Sequence, residues 1–129
     1  MKLFLRIILT AVLIIALVIG CGVFYITRGL KTDADLVIGS ADLSALGDRV
    51  YKGAYDSGRF SNEVNVTVKD HKIIDIELVK DVTFSKPEVY ETLFNRVMEK
   101  QDVTVDTVSG ATVTSKAYLK AVENALTGR

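Results

Sequence analysis

The sequence predicts an α+β domain carried on an N-terminal transmembrane helix, the domain being a small antiparallel sheet with two packed helices. Three observations predict it. An uncharged apolar run of 20 residues, Ile7 to Ile26, comes first. Two neighbouring segments then alternate apolar and polar residues with a period of two, and two later segments repeat apolar residues at the spacing of one helix face.

The apolar run is long enough to cross a bilayer, since a helix rises about 1.5 Å per residue and the hydrocarbon core is roughly 30 Å thick. Lys2 and Arg6 precede it and Arg28 and Lys31 follow it, so the positive-inside bias gives no orientation. Its length favours an uncleaved signal anchor over a cleavable signal, whose apolar region is shorter and ends in a small-residue cleavage site. Val18-Ile19-Gly20-Cys21 competes with this, because it resembles a bacterial lipobox in which Cys21 would carry lipid. Against lipidation, the apolar run continues through Val23, Phe24, Tyr25 and Ile26. Both readings tether the chain to a membrane. Cys21 is the only cysteine, which excludes an intrachain disulfide and a thiolate metal site.

This divides the chain into an anchor at 1–31, a stalk at 32–48 and one domain at 49–129. About 98 residues follow position 31, enough for a single small core. Beyond that position 12 basic residues face 16 acidic ones, a net charge of −4. Such a surface does not favour nucleic acid, whose binding needs Lys and Arg to neutralise phosphates. From Thr32 to Asp48 the residues are polar or small, with one short helical turn expected near Asp42 to Leu46.

Val50 to Tyr55 reads as the first strand. Val64, Val66 and Val68 alternate with Glu63, Asn65, Thr67 and Lys69 in the second, and Ile74, Ile76 and Leu78 alternate with Asp75 and Glu77 in the third. Asp70 and His71 join those two strands where a tight hairpin needs residues tolerant of positive φ. His71, the only histidine, is therefore read as a solvated turn residue and not as a metal ligand. Ser85-Lys86-Pro87-Glu88 has the spacing of a capping box, and Tyr90, Leu93, Phe94, Val97 and Met98 share one face of a helix from about Lys86 to Lys100. The last helix is expected from about Lys116 to Leu126, with Tyr118, Ala121, Val122, Ala125 and Leu126 inward and Gly128 near its end.

Before that helix lies Asp106-Thr107-Val108-Ser109-Gly110-Ala111-Thr112-Val113-Thr114-Ser115. The first N–H groups of a helix lack intrahelical partners and lie at the positive end of its macrodipole, so an anion is stabilised there. Gly110 permits a positive φ, and Ala111 adds little bulk. Ser109, Thr112, Thr114 and Ser115 are also each acceptable helix caps.

The stretch from Asp106 to Thr112 resembles the covalent FMN-binding domain family and its Asp-x-x-Ser/Thr-Gly-Ala-Thr signature, as found in flavin subunits of membrane complexes and in small anchored bacterial redox proteins. Tyr51-x-Gly53-x-Tyr55 resembles that family's opening strand, and the likeness runs from about Leu43 to Leu126. The resemblance implies that a flavin transferase, using FAD, esterifies FMN through its phosphate onto Thr112, with Ser109, Gly110 and Ala111 shaping the turn and Asp106 orienting the motif. It further implies a single-pass protein of the cell membrane whose C-terminal domain lies outside the cytoplasm. Contacts to the flavin ring are expected in the loop Asp56 to Asn62, with Tyr51, Tyr55, Phe60 and Phe84 as candidate neighbours, although burial in the core accounts better for most of them. Lys116 is a candidate to screen the phosphate charge.

No nucleophile and base pair, no carboxylate dyad and no nucleotide-binding glycine loop is recognisable, so the chain lacks the equipment of a complete enzyme. With the flavin that the resemblance implies, the chain reads as an electron carrier, with redox donor and acceptor proteins or a quinone as partners. Two alternatives stay open: a membrane-anchored binding domain of the same fold without flavin, and the flavin subunit of a larger membrane redox complex.

Overall fold

Helix α1, Lys2–Thr27, realises the apolar run, and the computed structural model describes it with the rest of residues 1–28 and 34–129. None of its side chains is buried, and it is long and apolar enough to cross a membrane, as an anchor or as a signal sequence. Cys21 is exposed within it. The expected junction of anchor and stalk at 31/32, with Lys31, lies outside the described residues.

Three strands, β1 (Arg49–Tyr55), β2 (Asn62–Lys69) and β3 (Lys72–Lys80), form an antiparallel sheet in the order β1-β2-β3. Lys69 faces Lys72 across a two-residue turn in which Asp70 and His71 have φ of 51° and 60°. That is the geometry of a type I′ hairpin, and it explains the residue types at its tip. The strand β2 keeps strict alternation, burying Asn62, Val64, Val66 and Val68.

The third strand departs from its expected alternation. Its pairing with β2 slips between Thr67 and Val68 and again between Glu63 and Val64, so Ile74 and Val79 are extra residues without partners. Each bulge turns the side chains that follow. Ile73 and Ile76 are therefore buried, whereas Ile74, expected inward, is 52% exposed.

A 3-10 turn at Leu43–Ala45, where the short helical turn was expected, is capped by Asp42, which accepts from the Ser44 N–H. The Nδ1–H of His71 donates to the Leu46 carbonyl at 3.0 Å, and the Asp48 carboxylate accepts from the Asp70 N–H at 2.8 Å. The hairpin tip thus holds the end of the stalk.

Helices α2 (Pro87–Lys100) and α3 (Thr112–Thr127) complete the core. The first buries Val89, Leu93, Phe94 and Val97. Its capping box does not form: the Ser85 hydroxyl donates to Asp81 instead, and Lys86 occupies the cap position without a side-chain bond. The second lies across β1 and β2, with Tyr118, Leu119, Ala121 and Val122 at or below 1% exposure. A Cβ on Gly53 would stand 2.1 Å from the Ala121 carbonyl oxygen and 2.5 Å from the Ala125 nitrogen. Only glycine lets the α3 backbone approach β1 this closely.

The helix α3 begins at Thr112, four residues before the expected start. Ser115 is fully buried, its hydroxyl accepts from the Val108 N–H at 3.1 Å, and its own N–H donates to the Ala111 carbonyl at 2.8 Å. These two bonds close a first turn that Thr and Ser propensities alone do not announce.

Candidate functional site

The chain enters α3 through a reverse turn. The Ala111 N–H donates to the Val108 carbonyl at 3.0 Å, and Gly110, third of the four residues, has φ of 77°. A positive φ at that position is what a type II turn demands and what glycine supplies without strain. Ala111, at the cap position, offers no side-chain acceptor, so none of Ser109, Thr112, Thr114 and Ser115 caps the helix. The first turn also contains no acidic residue. Its N–H groups and the positive end of the dipole therefore meet no negative charge of the helix's own. Thr112, the first helical residue, is exposed, as are Ser109 and Gly110.

Opposite this turn stands a 3-10 turn, Gly58–Phe60. Gly58 has φ of 50°, which lets the loop after β1 reverse within a few residues. The amide of Asn62, 1% exposed, donates to the carbonyls of Phe60 and of Ala117 in α3, both at 3.1 Å. That bridge fixes the loop beside the helix entrance. Between them is a depression of about 350 Å³ lined by Arg59, Phe60, Gly110, Ala111, Thr112, Val113 and Thr114.

Arg59 is the one cation on its wall among the described residues. Its guanidinium carbon lies 4.7 Å from the ring centre of Phe60 and 5.8 Å from that of Phe84, and its Nε is buried without a hydrogen-bond partner. The Arg59 carbonyl accepts from the Thr83 N–H at 2.9 Å, which joins this turn to the segment carrying Phe84. That segment is held by Asp81, whose carboxylate accepts from the Val82 N–H and from the hydroxyls of Ser85 and Tyr118. Burial first, and then the bond to Asp81, keep the Tyr118 hydroxyl protonated well above the ordinary tyrosine range.

The four candidate ring neighbours separate cleanly. Tyr51 is buried with its hydroxyl on the Gly47 carbonyl, Tyr55 is half-buried, and Phe60 is buried at the foot of the depression. Phe84 alone of the four is exposed, at 61%.

The sequence pattern of the FMN-binding domain matches residues 61–127, just over half the chain. This chain belongs to the FMN-binding domain family. Comparison with curated protein sequences returned no match. The matched part of the FMN-binding domain takes in β2, β3, α2, the turn at Gly110 and α3, and it starts after β1, Arg59 and Phe60. The residues present fit the phosphate end of that cofactor: an orphaned buried donor on Arg59, an uncapped helix start and an exposed hydroxyl share one depression.

Lys116, a candidate to screen phosphate, donates its ammonium to the Ala34 carbonyl at 2.5 Å. Asp106 is exposed, and its carbonyl accepts from Arg96 at 2.8 Å. It borders a separate and larger depression of about 490 Å³, lined by Arg96, Glu99, Lys100, Thr104, Val105 and Asp106. In that larger depression Arg96 and Lys100 are already bonded to backbone carbonyls, whereas the smaller one holds the unpartnered donor. Among the described residues no cluster of His, Cys, Asp or Glu has the make-up of a metal site.

Proposed function

We propose that this chain is a membrane-tethered flavoprotein that carries FMN as a phosphoester on Thr112 and relays electrons outside the cytoplasm. One observation carries the reading: the exposed hydroxyl of Thr112 opens a helix whose first turn is neither capped by a side chain nor neutralised by an acid. In the attachment step the Thr112 oxygen attacks the FMN phosphorus of FAD bound to a flavin transferase. A phosphorus–oxygen bond to Thr112 forms, the bond to the AMP half breaks, AMP leaves, and the hydroxyl proton is released. Ser109, Gly110 and Ala111 keep the helix entrance small and turned outward. Asp106, on the surface beside the motif, is the part the transferase meets.

The cofactor supplies one- and two-electron chemistry once bound, and the protein holds, orients and tunes it. Tethering keeps it at high effective concentration where a dissociated molecule would be diluted. In this reading helix α1 is the membrane anchor, the donor is a quinone or a redox protein, and a second redox protein is the acceptor. The test is expression with a flavin transferase followed by a denaturing gel viewed for flavin fluorescence. Fluorescence on the wild-type band that disappears in Thr112→Ala supports the reading. A dark wild-type band refutes the covalent attachment and with it this reading.

A further inference from the structure

We propose that Arg59 binds the phosphodiester formed on Thr112, acting as its hydrogen-bond donor and counter-charge, an inference that rests on the function proposed above. Buried donors in folded proteins have acceptors, and one without an acceptor needs a reason. The Nε of Arg59 is such a donor. Among the described residues no carboxylate lies within ion-pair distance of this guanidinium. The guanidinium carbon lies over the rings of Phe60 and Phe84, 4.7 Å and 5.8 Å from their centres, which limits the positions the side chain takes. A planar fork of donors matches two oxygens of a phosphate in a way an ammonium does not.

A phosphate esterified to Thr112 has within reach the depression that Arg59 and Thr112 line together. On one side it meets the free N–H groups of α3, and on the other the guanidinium. The single negative charge of a phosphodiester is then shared between a helix start and Arg59. The family match begins at Ser61, so this residue belongs to the part of the site outside the matched pattern.

Three variants of the full chain, Arg59→Met, Arg59→Lys and Thr112→Ala, test this alongside wild type, each expressed with and without a flavin transferase and solubilised in detergent. Methionine keeps the apolar contact with Phe60 and removes charge and donors, and lysine keeps the charge alone. Flavin loading is followed by intact mass over time, and the melting temperature is measured for loaded and unloaded protein. Arg59→Met is expected to load more slowly by on the order of tenfold to a hundredfold, as loss of a charge-assisted bond implies. Arg59→Lys is expected to fall between it and wild type. Unloaded Arg59→Met should melt with unloaded wild type, while the rise in melting temperature on loading shrinks, which separates contact with the phosphate from a role in folding. The inference is overturned if Arg59→Met loads at the wild-type rate with the wild-type rise on loading while Thr112→Ala stays bare. It is equally overturned if Arg59→Lys, should the methionine variant not fold, matches wild type in both measurements. A bare wild type removes the functional reading itself, and this inference with it.

Discussion

The two helix starts of the domain resolve the same electrostatic problem in opposite ways. Helix α2 opens with Pro87, which has no N–H to leave unpaired, and places Glu88 in its first turn to face its own dipole. Helix α3 opens with Thr112, has no acid in its first turn and receives no side-chain cap. The first is closed and the second is left open. An uncapped start is a cost to the fold, and it is at the second start that the proposed phosphoester is attached.

The comparison can be broken or sharpened by substitution. The largest effect is expected from Gly53→Ala, which drives a Cβ into the Ala121 and Ala125 backbone and unseats α3 while leaving α2 untouched. It should lower stability by about 3 kcal/mol or more, read by urea denaturation of the detergent-solubilised chain. Next comes Ser115→Ala, which strips the part-buried Val108 N–H of its acceptor. A loss of about 1–3 kcal/mol is expected, with slower flavin loading because the turn at Gly110 loses its tie to the helix.

A smaller pair exchanges the characters of the two helix starts. Thr112→Asp gives α3 an acid of its own and should stabilise the unloaded protein by about 0.3–1 kcal/mol, and Glu88→Gln should destabilise it by a similar amount. Thermal melts at low and high salt check both, since the gains fade as ions screen them.

The least effect is expected from acid. Burial raises the Asp102 pKa, but bonds from the Thr104 N–H and the Ser40 hydroxyl outweigh it and hold the carboxyl below its ordinary value of 3.8. A depressed carboxylate stabilises the fold above its unfolded pKa and stops doing so as pH falls through the folded one. The stability gap between wild type and Asp102→Asn should therefore be full at neutral pH and close below about 3.8.

Much of this fold is written locally, and the parts that are not have identifiable causes. Strict alternation in β2 and the Asp70-His71 turn depend on neighbours in the chain, so they are legible. The bulges at Ile74 and Val79 are not, because an extra residue leaves the apolar count of β3 unchanged and shows only in its pairing with β2. The start of α3 was misplaced for a similar reason: Thr112 to Ser115 are poor helix formers, held by bonds between Ser115 and the turn at Val108 and Ala111. Of the site, the signature carried Thr112 and Gly110. Arg59 carries no such signal, although it lies in the loop where ring contacts are expected. Its place beside Thr112 depends on the Asn62 bridge to Ala117, a contact between distant parts of the chain.

The most direct test is to digest the purified, transferase-loaded chain and locate the flavin adduct by tandem mass spectrometry. The account predicts a phospho-linked FMN on Thr112, with Ser109, Thr114 and Ser115 unmodified. An adduct on any of those three, or none on the peptide spanning 106–115, would contradict it.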